Sequence, residues 1–139
     1  MTSRLTIAVV DAQAQVIADA LNGGNMKIYS GTRPLNPEAG LNIDNILLAT
    51  LDFGNPAFAS IVGGVMTANP LTGGVATADG TASWFRLYKA DNVTAVLDGN
   101  CAQTVAGNLL LPTLTITTGV TIEINNYTHT VVKNHSYGQ

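Results

Sequence analysis

Apolar residues at Ile7, Val10, Ala14, Ile17 and Leu21 recur at spacings that alternate between three and four, which places them on one side of an α-helix. Asp11, Gln13, Gln15 and Asp19 supply a polar side. A hydroxyl at Thr2 or Ser3 suits an N-cap, and Asn22-Gly23-Gly24 suits a stop, because glycine adopts the left-handed turn without a Cβ penalty. The pattern therefore predicts a helix over about 4–22. Such a helix packs across its own sheet or docks on a neighbouring subunit.

Beyond the glycine pair the period drops to two, first in Met26-Lys27-Ile28-Tyr29-Ser30. Leu47, Ala49, Leu51 and Phe53 alternate with Leu48, Thr50 and Asp52 until Gly54-Asn55-Pro56 closes the segment. Phe85 and Leu87 alternate with Trp84, Arg86 and Tyr88, giving one apolar face suited to a core and one mixed face suited to cover by the N-terminal helix or a partner subunit. Asp91-Asn92 reads as a hairpin turn, with Val93, Ala95 and Leu97 on the return strand. Near the C-terminus, Leu114 and Ile116, then Val120, Ile122 and Ile124, alternate with polar residues on either side of a tight connection at Gly119. The apolar parity slips before Tyr127 and Val131, which predicts a bulge or bend at Asn125-Asn126.

Short strands joined by Gly, Asn, Asp and Pro turns predict a mainly β fold, an antiparallel β-sandwich or jelly-roll-like domain with one N-terminal α-helix. One domain covers 1–139, with strands from 26 to about 132 and a short C-terminal tail. A chain of 139 residues buries roughly 68% of its unfolded surface, enough for one core. Two stretches fit no strand pattern and read as long loops, the usual place for binding: Thr32 to Asn45, stiffened by Arg33-Pro34 and Asn36-Pro37, and Val62 to Gly80 with its two Gly pairs. In the first, Arg33, Pro34, Asn36, Glu38 and Asp44 are the candidate protein-contact residues, because a stiffened chain loses less entropy on docking.

Charge narrows the function classes. Only 11% of residues are charged, with six basic and nine acidic side chains and a net charge of −3. The basic residues are scattered, whereas a nucleic-acid interface needs them concentrated on one face. So sparse a charge offers little repulsion between copies, which favours self-association as a homodimer or homotrimer. The N-terminus carries six nearly apolar positions, Leu5 to Val10, too few for a signal-peptide core, and no run reaches the 18 of a membrane span. Synthesis in the cytoplasm and no membrane partner are the expectation. One cysteine, Cys101, allows no intrachain disulfide.

Catalytic chemistry finds little to work with. His129 and His135 are the only imidazoles, the first in a strand among threonines and expected exposed, the second in the polar tail. Cys101 has no basic neighbour in sequence to lower its pKa and reads as a small core residue. One Cys and two His make no zinc site, no Asp-rich loop matches a calcium site, and the Gly pairs lack the Lys of a phosphate cradle. Asp79 and Asp91 read as turn residues. No catalytic residue, metal ligand or cofactor is expected, and the chain is read as a non-enzyme. Trp84 and Tyr88 flanking Arg86 would suit a sugar platform, the one small-ligand reading the aromatics offer.

Ile28-Tyr29-Ser30-Gly31-Thr32-Arg33-Pro34, Leu47-Leu48-Ala49-Thr50-Leu51-Asp52-Phe53, Asn55-Pro56-Ala57-Phe58, Gly80-Thr81-Ala82-Ser83-Trp84-Phe85-Arg86-Leu87-Tyr88 and Val96-Leu97-Asp98-Gly99 follow one another over roughly residues 5–132. In these segments the chain resembles a set of small virion structural proteins of tailed phages and prophages, the Gly80–Tyr88 motif being the most specific. The resemblance implies a place in the virion, on the capsid exterior, as a decoration or cement protein whose partner is the major capsid protein. A tail or baseplate component, or a carbohydrate-binding β module, is the alternative.

Overall fold

The computed structural model describes residues 2–105, 108–132 and 134–136. In chain order the elements are β1 (Thr2–Arg4), α1 (Ile7–Leu21), β2 (Asn25–Ser30), β3 (Ile46–Asp52), β4 (Phe58–Val62), β5 (Val65–Ala68) and β6 (Gly80–Thr81). They continue with β7 (Trp84–Tyr88), β8 (Ala95–Ala102), β9 (Leu109–Leu110), β10 (Thr115–Ile116), β11 (Thr128–Thr130) and β12 (Asn134–Ser136). The protein is mainly β with one helix, and its principal sheet has the order β3-β2-β7-β8-β9. All neighbours in that sheet are antiparallel except β8 and β9, which run parallel. A second sheet has the order β11-β5-β4, and β1-β12 and β6-β10 form two-stranded pairs.

The helix starts later than Thr2 or Ser3. Thr6 caps it, with ψ at 155° and its side-chain oxygen accepting from the Val9 amide at 3.2 Å, so one orphan N–H of the first turn is satisfied locally. Thr2–Arg4 lie in β1 instead, antiparallel to β12, a pairing with the far end of the chain that no local pattern announces. The expected C-terminal tail is thereby corrected in part: 134–136 form β12, while 133 and 137–139 lie outside the described residues. On the helix the buried stripe is Val10, Ala14, Ala18 and Leu21, with Ile7 in solvent and Ile17 half-buried. Asp11, expected on the free polar side, accepts from the Gly64 amide at 2.8 Å and ties the helix to the β4-β5 turn.

Strand parity carries one local exception in β3. Ile28 pairs with Ala49 and Tyr29 with Leu47, so Leu48 is the extra residue of a bulge, and both Leu48 and Ala49 are buried while Leu47 is exposed. The expected loop from Val62 to Gly80 is corrected more fully. Gly63 and Gly64 have φ of 59° and 84°, the backbone of a two-residue hairpin turn, and they join β4 to β5. Further on, Asp52 and Thr72 exchange backbone hydrogen bonds at 2.7 and 3.1 Å, and isolated bridges link Leu71 with Ile124 and Val75 with Thr121. The segment is therefore pinned along much of its length.

The core lies between the inner face of the principal sheet and the layer made by α1, the second sheet and the bridged segments. Met26, Ile28, Leu51, Phe85 and Leu87 meet Ala14, Leu21, Phe58, Met66 and Tyr127 in one buried cluster. Phe53, Phe58, Tyr127 and Phe85 form a chain of rings with centroids 5.9, 6.5 and 5.8 Å apart, the last pair edge to face. Each such pair adds about 0.5–1.5 kcal/mol beyond its buried area. The bend at Asn125-Asn126 is present, with both residues exposed between buried Ile124 and Tyr127. At the other hairpin, Asn92 has φ of 68° and Asp91 accepts from the Val93 and Thr94 amides at 2.9 and 2.8 Å, so the return strand begins at Ala95 rather than Val93.

Candidate protein-contact surface

All five residues of β7 are buried, which follows from its place between β2 and β8 and from a cover on its outer face. That cover is neither helix nor subunit partner but the segment 31–45. The helix packs against β4, β5 and β8. Under the segment, Tyr29 stacks on Trp84 with centroids 4.5 Å apart and planes 16° from parallel, and the Arg86 guanidinium lies 5.1 Å from the Trp84 ring. The Lys27 ammonium sits 4.8 Å from the Tyr88 ring, and the Tyr29 and Tyr88 hydroxyls are 3.4 Å apart. Burial, then the Tyr88 hydroxyl, pushes the Tyr29 phenol well above its ordinary value.

Arg86 fastens the cover. Only 3% exposed, it donates from Nη1 to the Ala39 carbonyl at 2.9 Å and from Nη2 to the Asn36 carbonyl at 3.2 Å, and it pairs with Asp98 at 3.4 Å. A buried guanidinium is costly to desolvate, and this one recovers part of that cost through a carboxylate and two carbonyls of the loop. Its Nε and the Trp84 indole N–H are buried without a partner among the described residues. Trp84 is fully buried and Tyr88 nearly so, which removes the stacking face that a sugar platform requires.

The loop is also tied to itself. Thr32 donates from its amide and its hydroxyl to Asp44 Oδ2, both at 2.9 Å, and these bonds hold the Asp44 carboxyl below its ordinary value. Asn45 Nδ2 donates to the carbonyls of Ser30 and Thr32 at 3.1 and 2.8 Å, and Asn42 Nδ2 also reaches Thr32 O at 2.9 Å. At the start of the loop Gly31 has φ of 85° and passes so close to the Asp44 backbone that no Cβ fits. Pro34 is buried, Asn36 gives its carbonyl to Arg86, and Arg33 and Glu38 are exposed.

What this loop shows to solvent is apolar. Leu35 and Ile43 are fully exposed, Leu41 half so, and Ile46 and Leu47 at the start of β3 continue the series. Leu41, Glu38 and Val93 share the lining of a cavity of about 410 Å³ above Arg86 and Tyr88. Among the candidate contact residues, Asp44 holds the loop through its carboxylate and Asn36 through its backbone carbonyl, with Asn36 itself exposed. The side chains that sequence reasoning passed over are Leu35, Leu41 and Ile43, whose signal was their type: branched apolar residues among Pro, Asn and Gly with no strand or helix period to absorb them.

Elsewhere, burial pushes the Cys101 thiol up to about 12, far from a thiolate. His129, expected exposed, is half-buried in β11, and burial lowers its pKa. Asp79 accepts from the Thr118 amide and hydroxyl at 2.6 and 2.8 Å and serves as a turn clasp. Among the described residues no three His, Cys, Asp or Glu side chains gather where a metal ion would sit.

Fold and surface together define a mainly β protein that displays an apolar, internally braced loop on a buried aromatic layer. Comparison with known proteins finds no matching family model, no similar curated protein and no similar solved structure.

Proposed function

We propose that this chain is a non-enzymatic virion structural protein of a tailed phage, a capsid decoration or cement protein that clamps neighbouring major capsid subunits from outside. The observation that carries the reading is the loop at 31–45, which holds Leu35, Leu41 and Ile43 in water on an anchor of buried hydrogen bonds. Branched apolar side chains held out on a braced backbone lose little conformational entropy on docking, which is what a protein-contact surface requires. The charge-poor surface and the virion resemblance of the strand motifs support the same role. We read the two packed layers as a sandwich of the jelly-roll kind, and self-association as a dimer or trimer as the arrangement suited to the two-fold and three-fold junctions of a shell. Even modest contacts, repeated over a particle and engaging two subunits each, oppose internal pressure on the shell.

The test mixes shells lacking this protein with the wild-type chain and with a variant whose segment Thr32 to Asn45 is cut to a short Gly-Ser turn. Wild type is expected to bind and the variant to fail. Equal binding by both removes the loop from the interface. Binding to isolated tails but not to shells moves the role to the tail.

A further inference from the structure

A cavity of about 350 Å³ separates the edges of β8 and β11, with Phe85, Leu97, Asp98, Tyr127, His129 and Thr130 among its lining. At ~30 Å³ per molecule this is room for roughly a dozen waters. Among the described residues both edges are open there. The Cys101 amide donates to the Ser83 carbonyl at 3.0 Å, so 97, 99 and 101 turn their backbone groups toward β7 and Asp98 turns its N–H and C=O away. Pairing with β9 begins only at Cys101, and no strand among the described residues pairs with β8 at 97–99.

The same register argument applies across the gap. Tyr127 O accepts from the Ala68 amide and the Val131 amide donates to Gly64 O, each at 2.9 Å, so 127, 129 and 131 face β5. Thr128 and Thr130 therefore direct their N–H and C=O groups away from it, and β11 is the edge of its sheet. Below the gap, Phe85, Leu97 and Tyr127 supply an apolar floor.

We infer that this gap receives an extended segment of a partner polypeptide, which adds as a strand between β8 and β11 and joins the two sheets. Backbone chemistry selects the occupant: only an extended chain offers N–H and C=O groups on both of its sides at the repeat of a strand, with neighbours about 4.8 Å away. A sugar or an ion satisfies one edge out of register with the other. The floor calls for an apolar side chain at the central position of the segment, and its neighbours point to solvent. The inference rests on the reading of the chain as a protein-binding structural component, not on which virion protein it meets.

The experiment pans a displayed library of random heptapeptides against the immobilised full-length chain and measures the enriched peptides on wild type and on Thr130→Pro. Proline there removes one outward N–H and leaves the ladder to β5 intact. Enriched peptides are expected to alternate apolar and polar residues and to bind the variant about tenfold more weakly, the factor that corresponds to one hydrogen bond. The Asp98 and Thr128 amides of the wild-type chain should exchange with solvent more slowly when peptide is bound, a measurement that stands even if the proline variant does not fold. No enrichment, or bound peptides that leave those amides exchanging as in the free chain, overturns the inference. Failure of shells to bind the wild-type chain overturns the cement reading and leaves the peptide result standing.

Discussion

Two residues on β7 show how differently neighbours in sequence carry stability. Phe85 faces the core and meets the Tyr127 ring edge to face, so Phe85→Ala removes contacts and leaves a cavity, at an expected cost of about 3–5 kcal/mol. Arg86 faces the other way and depends on Asp98, its one carboxylate partner among the described residues. Asp98→Ala leaves that guanidinium buried without a counter-ion, and an expected cost of about 3–5 kcal/mol follows from charge rather than packing. Urea unfolding checks both, and a loss below 1 kcal/mol for either would contradict its assignment to the buried layer concerned. Strong acid should weaken the loops. Asp91 is held down to about 2 by the Thr94 hydroxyl and the Thr94 and Val93 amides, and Asp44 and Asp79 are lowered in the same way by Thr32 and Thr118. A carboxylate with a depressed folded pKa stabilises fully above its unfolded value and loses that contribution as pH falls through the folded one. For Asp91 the window runs from its ordinary 3.8 down to about 2. Stability followed against pH should fall less steeply over this window in Asp91→Asn than in wild type; identical slopes would show that the turn bonds do not form in solution.

At the scale of elements, local chemistry and distant pairing divide the work. Thr6 and Thr2 are both plausible caps by residue type, and the choice falls to Thr6 because the chain before it is claimed by β12. Thr6→Ala is expected to lower stability by about 1 kcal/mol, and Thr2→Ala by less, in thermal unfolding of the two variants. The reverse order would place the helix start where the hydroxyls of Thr2 and Ser3 suggest it. The Gly63-Gly64 pair is visible in the sequence, yet the pattern around it suggests loose chain rather than a hairpin turn, because the strands it joins are short and Phe58–Val62 exposes most of its residues. β7 was legible for the opposite reason: aromatic and aliphatic residues alternating without interruption suit a central strand.

For the whole molecule, a surface poor in charge that also carries exposed apolar side chains on loop, helix and hairpin suits the proposed role of contact with other proteins. If the partner is a capsid, quantitative gels of purified virions should give a copy number in step with the major capsid protein. A number near that of a baseplate component would place the chain in the tail.

Alternation of apolar and polar residues, the three-and-four spacing before Asn22 and the turn residues at Asp91-Asn92 and Gly119 were enough to settle a mainly β chain with one helix, because these preferences act within a few residues. The core side of Phe85 and Leu87 followed from the same alternation. The outer side of that strand did not, since Trp84, Arg86 and Tyr88 are the types an exposed face or a binding platform would also carry. Their burial comes from a loop folding back so that two carbonyls, at Asn36 and Ala39, meet Arg86 some fifty residues on. The bulge at Leu48, the pairing of β1 with β12 and the gap between β8 and β11 have the same origin. Each depends on which distant backbone groups find partners, and a one-dimensional pattern carries no record of that.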